Sequence, residues 1–197
     1  MNLMNAVMKA MQLKGHTIFE DDSKPFNLNY VGIRDISGVG TFNDTFVVFY
    51  KYKGQWTSFV RMGTTDPGTY YLENPLNVEG TAILKAGQHR GVWTLGKHQG
   101  KYPALVQAKE VTVIRDFDRD AELDVNNGKE DTGFFGINHH RANSAKESQI
   151  VGKWSAGCQV TQNPDEYDIF IELCRKSAEY WGSTLSYTLL EKADVKL

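Results

Sequence analysis

Short β-like runs dominate the middle of the chain, and three- and four-residue apolar spacing appears near its start and in its last quarter. At the start, Leu3, Val7, Met11 and Leu13 fall roughly on one side of a short helix that ends at Gly15. A polar link, residues 20–25, follows it. Residues 46–52 are β-branched and aromatic, Lys53-Gly54 reads as a turn, and residues 55–62 read as the returning strand. Thr65-Asp66-Pro67-Gly68 is a turn by its own chemistry, since Pro presets φ and Gly accepts a positive φ. Residues 91–95 and 104–107 predict two more strands. Residues 110–115 alternate, with Val111, Val113 and the stem of Arg115 on one face. Residues 133–140 predict a strand that enters the pair His139-His140.

The last quarter changes character. Asn163 is a good N-cap, Pro164 a good first helical residue, and Asp165 and Glu166 suit the first turn. Tyr167, Phe170, Ile171, Cys174, Ala178 and Trp181 then form one apolar stripe, and Gly182 stands where a helix is expected to stop. Residues 184–190 alternate again, with Leu185, Tyr187 and Leu189 on one side. The pattern predicts a β-rich α+β fold, with residues 1–25 as an N-terminal helix and link and residues 26–197 as one catalytic domain.

Size and charge narrow the partners. A chain of 197 residues can bury a sizeable core. Its net charge is −2 and no Lys/Arg block stands out, so nucleic acid is not an expected partner. No apolar run is long enough to span a bilayer, so a membrane is not expected either. Asn5, Lys9 and Gln12 interrupt the first apolar stretch, and no small-residue cleavage site follows. Synthesis in the cytoplasm without a signal peptide is therefore the expectation. Two cysteines exclude a disulfide-dense scaffold.

The residues with most chemical promise are Ser155-Ala156-Gly157-Cys158 and the upstream His139-His140. A thiol needs a base or a lowered pKa to act as a nucleophile, because an ordinary thiol is only a few per cent ionised at neutral pH. Small neighbours let a substrate approach, and backbone N–H groups of such a turn can hold an oxyanion. Successive strand residues face opposite ways. Phe135, Ile137 and His139 share the apolar side, which leaves Asn138 and His140 for the open face. The competing reading is that Cys158 is a buried small apolar residue, as Cys174 on the helix stripe is expected to be.

Gly136-Ile137-Asn138-His139-His140 followed by Ser155-Ala156-Gly157-Cys158 resembles the signature of the L,D-transpeptidase (YkuD-type) catalytic domain. That family has a His at a strand end, a gap, and then Ser/Thr-His-Gly-Cys. The hairpin over residues 46–62, the turn Thr65-Asp66-Pro67-Gly68-Thr69-Tyr70, the helix over 164–181 and the strand over 184–190 are similar to the family's layout as well. The likeness covers residues 42–190. It implies a mixed β sandwich or barrel with a helix after the nucleophile turn. It makes Cys158 the nucleophile, His140 the general base, and Gly157 and Ser155 the oxyanion turn. The implied partner is a peptidoglycan stem peptide, and the implied intermediate a thioester. Ala156 stands where the family has His, and Gln159-Val160 where it has an apolar residue and Arg. These departures turn the expectation toward hydrolysis rather than transpeptidation, as in a phage lysin, a virion-associated hydrolase or an exported effector acting at the cell wall.

Other residues remain candidates. Asn138, His139, His98 and Arg141 could orient substrate or ring. The polar segment Lys97-His98-Gln99-Gly100-Lys101-Tyr102 could line a groove for an anionic peptide, or be a solvated loop. No cofactor is required, with one ion as the exception to test. Asp116, Asp118, Asp120 and Asp124 have the oxygen-ligand spacing of a calcium loop, although Ala121 and Asn127 replace its usual Gly and Glu. Two alternatives stay open: an inactive cell-wall-binding or virion structural module, and a metal-dependent peptidase using His98, His140 and an acidic residue.

Overall fold

The computed structural model describes residues 2–197. Its helices are α1 (Leu3–Leu13), α2 (Thr69–Glu73) and α3 (Pro164–Trp181). The strands are β1 (Asn29–Arg34), β2 (Asp44–Tyr52), β3 (Gln55–Thr64), β4 (Thr81–Leu84), β5 (Gly87–His98), β6 (Tyr102–Gln107), β7 (Val111–Asp116), β8 (Lys129–Gly133), β9 (His139–Arg141), β10 (Gln159–Thr161) and β11 (Thr184–Glu191). Eight of them close into a barrel in the order β1-β11-β5-β6-β9-β10-β3-β2, and β4-β7-β8 form a second, three-stranded sheet. The β-rich α+β class expected from the pattern is the class observed. The hairpin of β2 and β3 pairs from Asp44–Gly63 to Tyr52–Gln55. Lys53 and Gly54 at its tip both have positive φ, as a two-residue hairpin turn matched to strand twist requires.

Ring closure explains where the core sits. Tyr30, Phe46, Trp93, Tyr187, His139 and Phe170 come from β1, β2, β5, β11, β9 and α3, and ring centroids among them lie 4.6–6.0 Å apart. Arg61 is buried among these rings without an ion pair among the described residues. Its guanidinium lies 3.7 Å from the Phe170 centroid and donates to Tyr30 Oη at 2.9 Å and Thr161 Oγ1 at 3.1 Å. The opposite faces of β1, β2 and β11 offer Val31, Ile33, Val47, Phe49 and Leu190, which Val7, Ala10 and Met11 of α1 cover. The buried face of α1 is therefore Ala6, Val7, Ala10 and Met11, while Leu13 is exposed. The link after α1 is tied to α3, where Trp181 Nε1 donates to Pro25 O at 2.8 Å.

Three elements depart from the sequence reading. Strand β1 is buried along its whole length, so it shows no alternation, and its Arg34 is held inside by Asp66 at 2.7 Å and Glu191 at 3.3 Å. Strand β4, four residues long, was not legible either. The strand expected over 133–140 is broken: β8 stops at Gly133, β9 begins at His139, and residues 134–138 are irregular. Gly136 has φ +72°, which ends strand geometry there.

Candidate active site

Strands β9 and β10 lie side by side and parallel, with Gln159 opposite His139 and Val160 opposite His140. Cys158 immediately precedes β10, and the N–H of Gln159 donates to Asn138 O at 2.9 Å. The barrel thus brings the cysteine turn alongside the histidine segment. Within the turn, Ser155 Oγ donates to Cys158 O at 2.7 Å and accepts from the Gly157 N–H at 3.1 Å. Gly157 has φ +124°, and a Cβ on it would sit 2.3 Å from Ala82 O, so only glycine fits. The Thr65–Gly68 turn braces this loop from behind. Gly68 N–H donates to Ser155 O at 2.9 Å, and Gln159 Nε2 donates to Thr65 O at 3.0 Å while its Oε1 accepts from Tyr187 Oη at 2.7 Å.

His140 is 3% exposed. Its Nδ1 lies 2.8 Å from Arg141 O, and a carbonyl can only accept, so Nδ1 carries the hydrogen and Nε2 the free lone pair. His98, at the end of β5, stacks on His140 with centroids 3.9 Å apart and rings 25° from parallel. Burial, and then the neighbouring His98, push the His140 imidazole down to about 4. Burial pushes the Cys158 thiol up to about 11, against the opposing effect of the Asn138 backbone N–H. The resting pair is consequently a neutral thiol and a neutral imidazole across the physiological range. Of the two routes to a nucleophile, a base or a lowered pKa, this environment does not supply the second. No hydrogen bond joins the two groups; Sγ donates instead to Gly136 O at 3.3 Å.

Cys158, His140 and His98 line one cavity of about 500 Å³, together with Ala156, Trp154 and Phe134. The Gly157 N–H is occupied by Ser155 Oγ, whereas no hydrogen bond engages the N–H of Cys158 among the described residues. Gly157 and Ser155 shape the turn.

The remaining candidates disperse. His139 is fully buried, with Nδ1 2.8 Å from Tyr30 Oη and Nε2 2.9 Å from Thr161 Oγ1, so it belongs to the barrel core and cannot touch a substrate. Burial, with the Arg61 cation beside it, holds its pKa well below the usual imidazole range. The carboxamide oxygen of Asn138 accepts from Gln107 N–H at 2.9 Å, which makes it a brace of the segment. Arg141 stacks over the Tyr102 ring at 4.0 Å and lines a neighbouring cavity. Among the described residues, no three His, Cys, Asp or Glu side chains are placed together to hold an ion. The stacked faces of His98 and His140 turn their ring planes, not their lone pairs, toward each other. In the acidic loop, Asp116 Oδ2 accepts from the Asp124 N–H at 3.1 Å, and burial pushes Asp116 up to about 6.

One important side chain escaped the sequence reading. Gln107 Oε1 accepts from Phe135 N–H at 3.1 Å and Ile137 N–H at 3.0 Å, and Nε2 donates to Gly133 O at 3.0 Å and Lys109 O at 2.8 Å. Trp93 Nε1 adds a bond to Ile137 O at 2.7 Å. These two residues hold the irregular stretch that leads into His140. A glutamine at the end of a predicted strand carries no local signal of that role.

The fold and the cavity define a β-barrel protein with a cysteine and a histidine on neighbouring segments of one pocket. Comparison with models of known families, with curated proteins and with solved structures returned no match. No helix among the described residues is long and apolar enough to cross a membrane.

Proposed function

We propose that this chain is a cysteine-nucleophile acyl-transfer enzyme that acts on peptidoglycan stem peptides, with hydrolysis favoured over L,D-transpeptidation. The observation that carries the reading is the shared cavity of Cys158 and His140, with the His140 tautomer set by Arg141 O. Nε2 takes the thiol proton as Sγ attacks a peptide carbonyl carbon. The Cys158 N–H faces the developing oxyanion. His140 returns the proton to the leaving amine as the C–N bond breaks, and a thioester remains. Water, deprotonated by His140, releases the acid and restores the thiol. The L,D-transpeptidase resemblance of Ser155-Ala156-Gly157-Cys158 and His140 supplies the substrate class. Val160, where that family has Arg, is buried with Phe42, Ala142 and Val151, so no cation stands there. This is why hydrolysis is favoured. The proposed place of action is the cell wall, reached by lysis, a virion or a secretion system.

Digestion of defined muropeptides by wild type, Cys158→Ala and His140→Ala, read by mass spectrometry, tests this. The reading expects cleavage by wild type alone and a thioester-linked mass on Cys158. Cleavage retained by Cys158→Ala would overturn it.

A second reading has its own observation. The thiol is bonded to Gly136 O and not to the imidazole, and its pKa is raised. Both favour an inactive module that grips a cell-wall peptide in the same cavity. Binding to sacculi without turnover would support that reading.

A further inference from the structure

The cavity has a charge pattern that the thiol chemistry does not explain. The chain carries 24 acidic residues and a net charge of −2, yet no carboxylate lines this cavity. Two permanent cations do, Arg115 and Lys153. Arg115 is committed elsewhere. It is buried, pairs with Asp131 Oδ2 through Nε at 3.1 Å and Nη2 at 2.8 Å, and donates from Nη1 to Gly80 O at 3.2 Å. Lys153 makes no ion pair or hydrogen bond among the described residues. Its Nζ lies 4.0 Å from the Tyr70 ring centroid, a cation–π contact that leaves the charge without an anionic partner. Lys153, five residues before Cys158, lines the same cavity as the thiol. A pocket with one uncompensated cation and no anion favours a negative ligand.

We propose that this cavity is an anion subsite in which Lys153 pairs with a free carboxylate carried by the acyl donor. The ligand class is an acidic peptide, and a free carboxylate is distinguished from its amide. This rests on the reading that the cavity receives the acyl donor, and the test separates the two. Cys158 is alkylated with iodoacetate and, in parallel, with neutral iodoacetamide, and the ratio of the two rates is followed by mass spectrometry. The ratio needs no peptidoglycan and no turnover. Lys153→Met is expected to lower it about three- to fivefold at low salt, the size of one charge contact in a watery pocket. Lys153→Glu lowers it further, Lys153→Arg preserves it, and high salt erases the difference. Lys153 is exposed, so these variants leave the core intact. An unchanged ratio in both Lys153→Met and Lys153→Glu overturns the subsite. The second arm compares stem peptides with free and amidated carboxylates. Lys153→Met is expected to raise KM for the free form toward that of the amidated form, with kcat little changed. Equal KM values for both forms in wild type also overturn the subsite. If Cys158→Ala still cleaves, the thiol mechanism fails, while the alkylation ratio continues to decide the subsite.

Discussion

At the scale of single residues, the environment of Cys158 and His140 sets the chemistry. Both groups are driven toward their neutral forms, the thiol up to about 11 and the imidazole down to about 4. Alkylation of Cys158 by iodoacetamide should therefore be slow at neutral pH and rise about tenfold per pH unit toward 11, since only the thiolate reacts. A plateau already reached by pH 8 would contradict this. His98 helps hold His140 down. His98→Gln should move the His140 pKa upward, measured by NMR titration of its ring. If hydrolysis runs through His140 as base, the acid limb of the pH–rate profile should move up with it. His140 and Cys158 were singled out in the sequence by strand alternation, by the Ser155–Cys158 turn and by the family resemblance. Their protonation was not legible, because burial is a property of the folded neighbourhood and not of the motif.

The elements matter as braces. The stretch 134–138 has no ladder of its own and relies on Gln107, whose side chain makes four hydrogen bonds to backbone groups. Gln107→Leu keeps the size but leaves those groups without partners, at a penalty of roughly 2–4 kcal/mol. Denaturant melts should show that loss, and hydrogen exchange should localise it to residues 133–140. The cysteine turn is braced by shape. Gly157→Ala places a methyl against Ala82 O and strains a backbone at φ +124°, so a loss of about 2 kcal/mol or more is expected in the same melts. The β2–β3 hairpin and α3 were legible because their signals are local: a two-residue turn, an N-cap with Pro164, and a stripe of apolar residues. Strands β1 and β4 were not, because full burial removes the alternation that reveals a half-buried strand.

On the scale of the whole molecule, the barrel core contains a histidine that stays neutral. Folded His139 resists protonation, whereas the unfolded chain takes a proton below about 6.5. The unfolded state thus binds more protons as pH falls, and the fold loses stability below that point. His139→Phe removes the bonds to Tyr30 and Thr161 and should be less stable by roughly 1–2 kcal/mol at pH 7. Between pH 7 and pH 5 the gap to wild type should narrow, because only wild type carries the proton linkage. A stability difference that stays constant from pH 7 to pH 5 would show that His139 is not held neutral.

The sequence by itself determined the class of the fold, the hairpin, the last helix and the pair of residues worth testing, because turns, caps and periodic burial act over a few neighbours. Only the tertiary structure decided where those residues sit and what surrounds them. Ring closure sets β9 beside β10, sends His139 into the core and His140 into the cavity, and stacks His98 on it from β5. Gln107 and Gln159 acquire their roles from partners that adjacent sequence does not supply. The charge of a cavity and the pKa of a buried group depend on which surfaces the fold removes from water, and no local pattern records that.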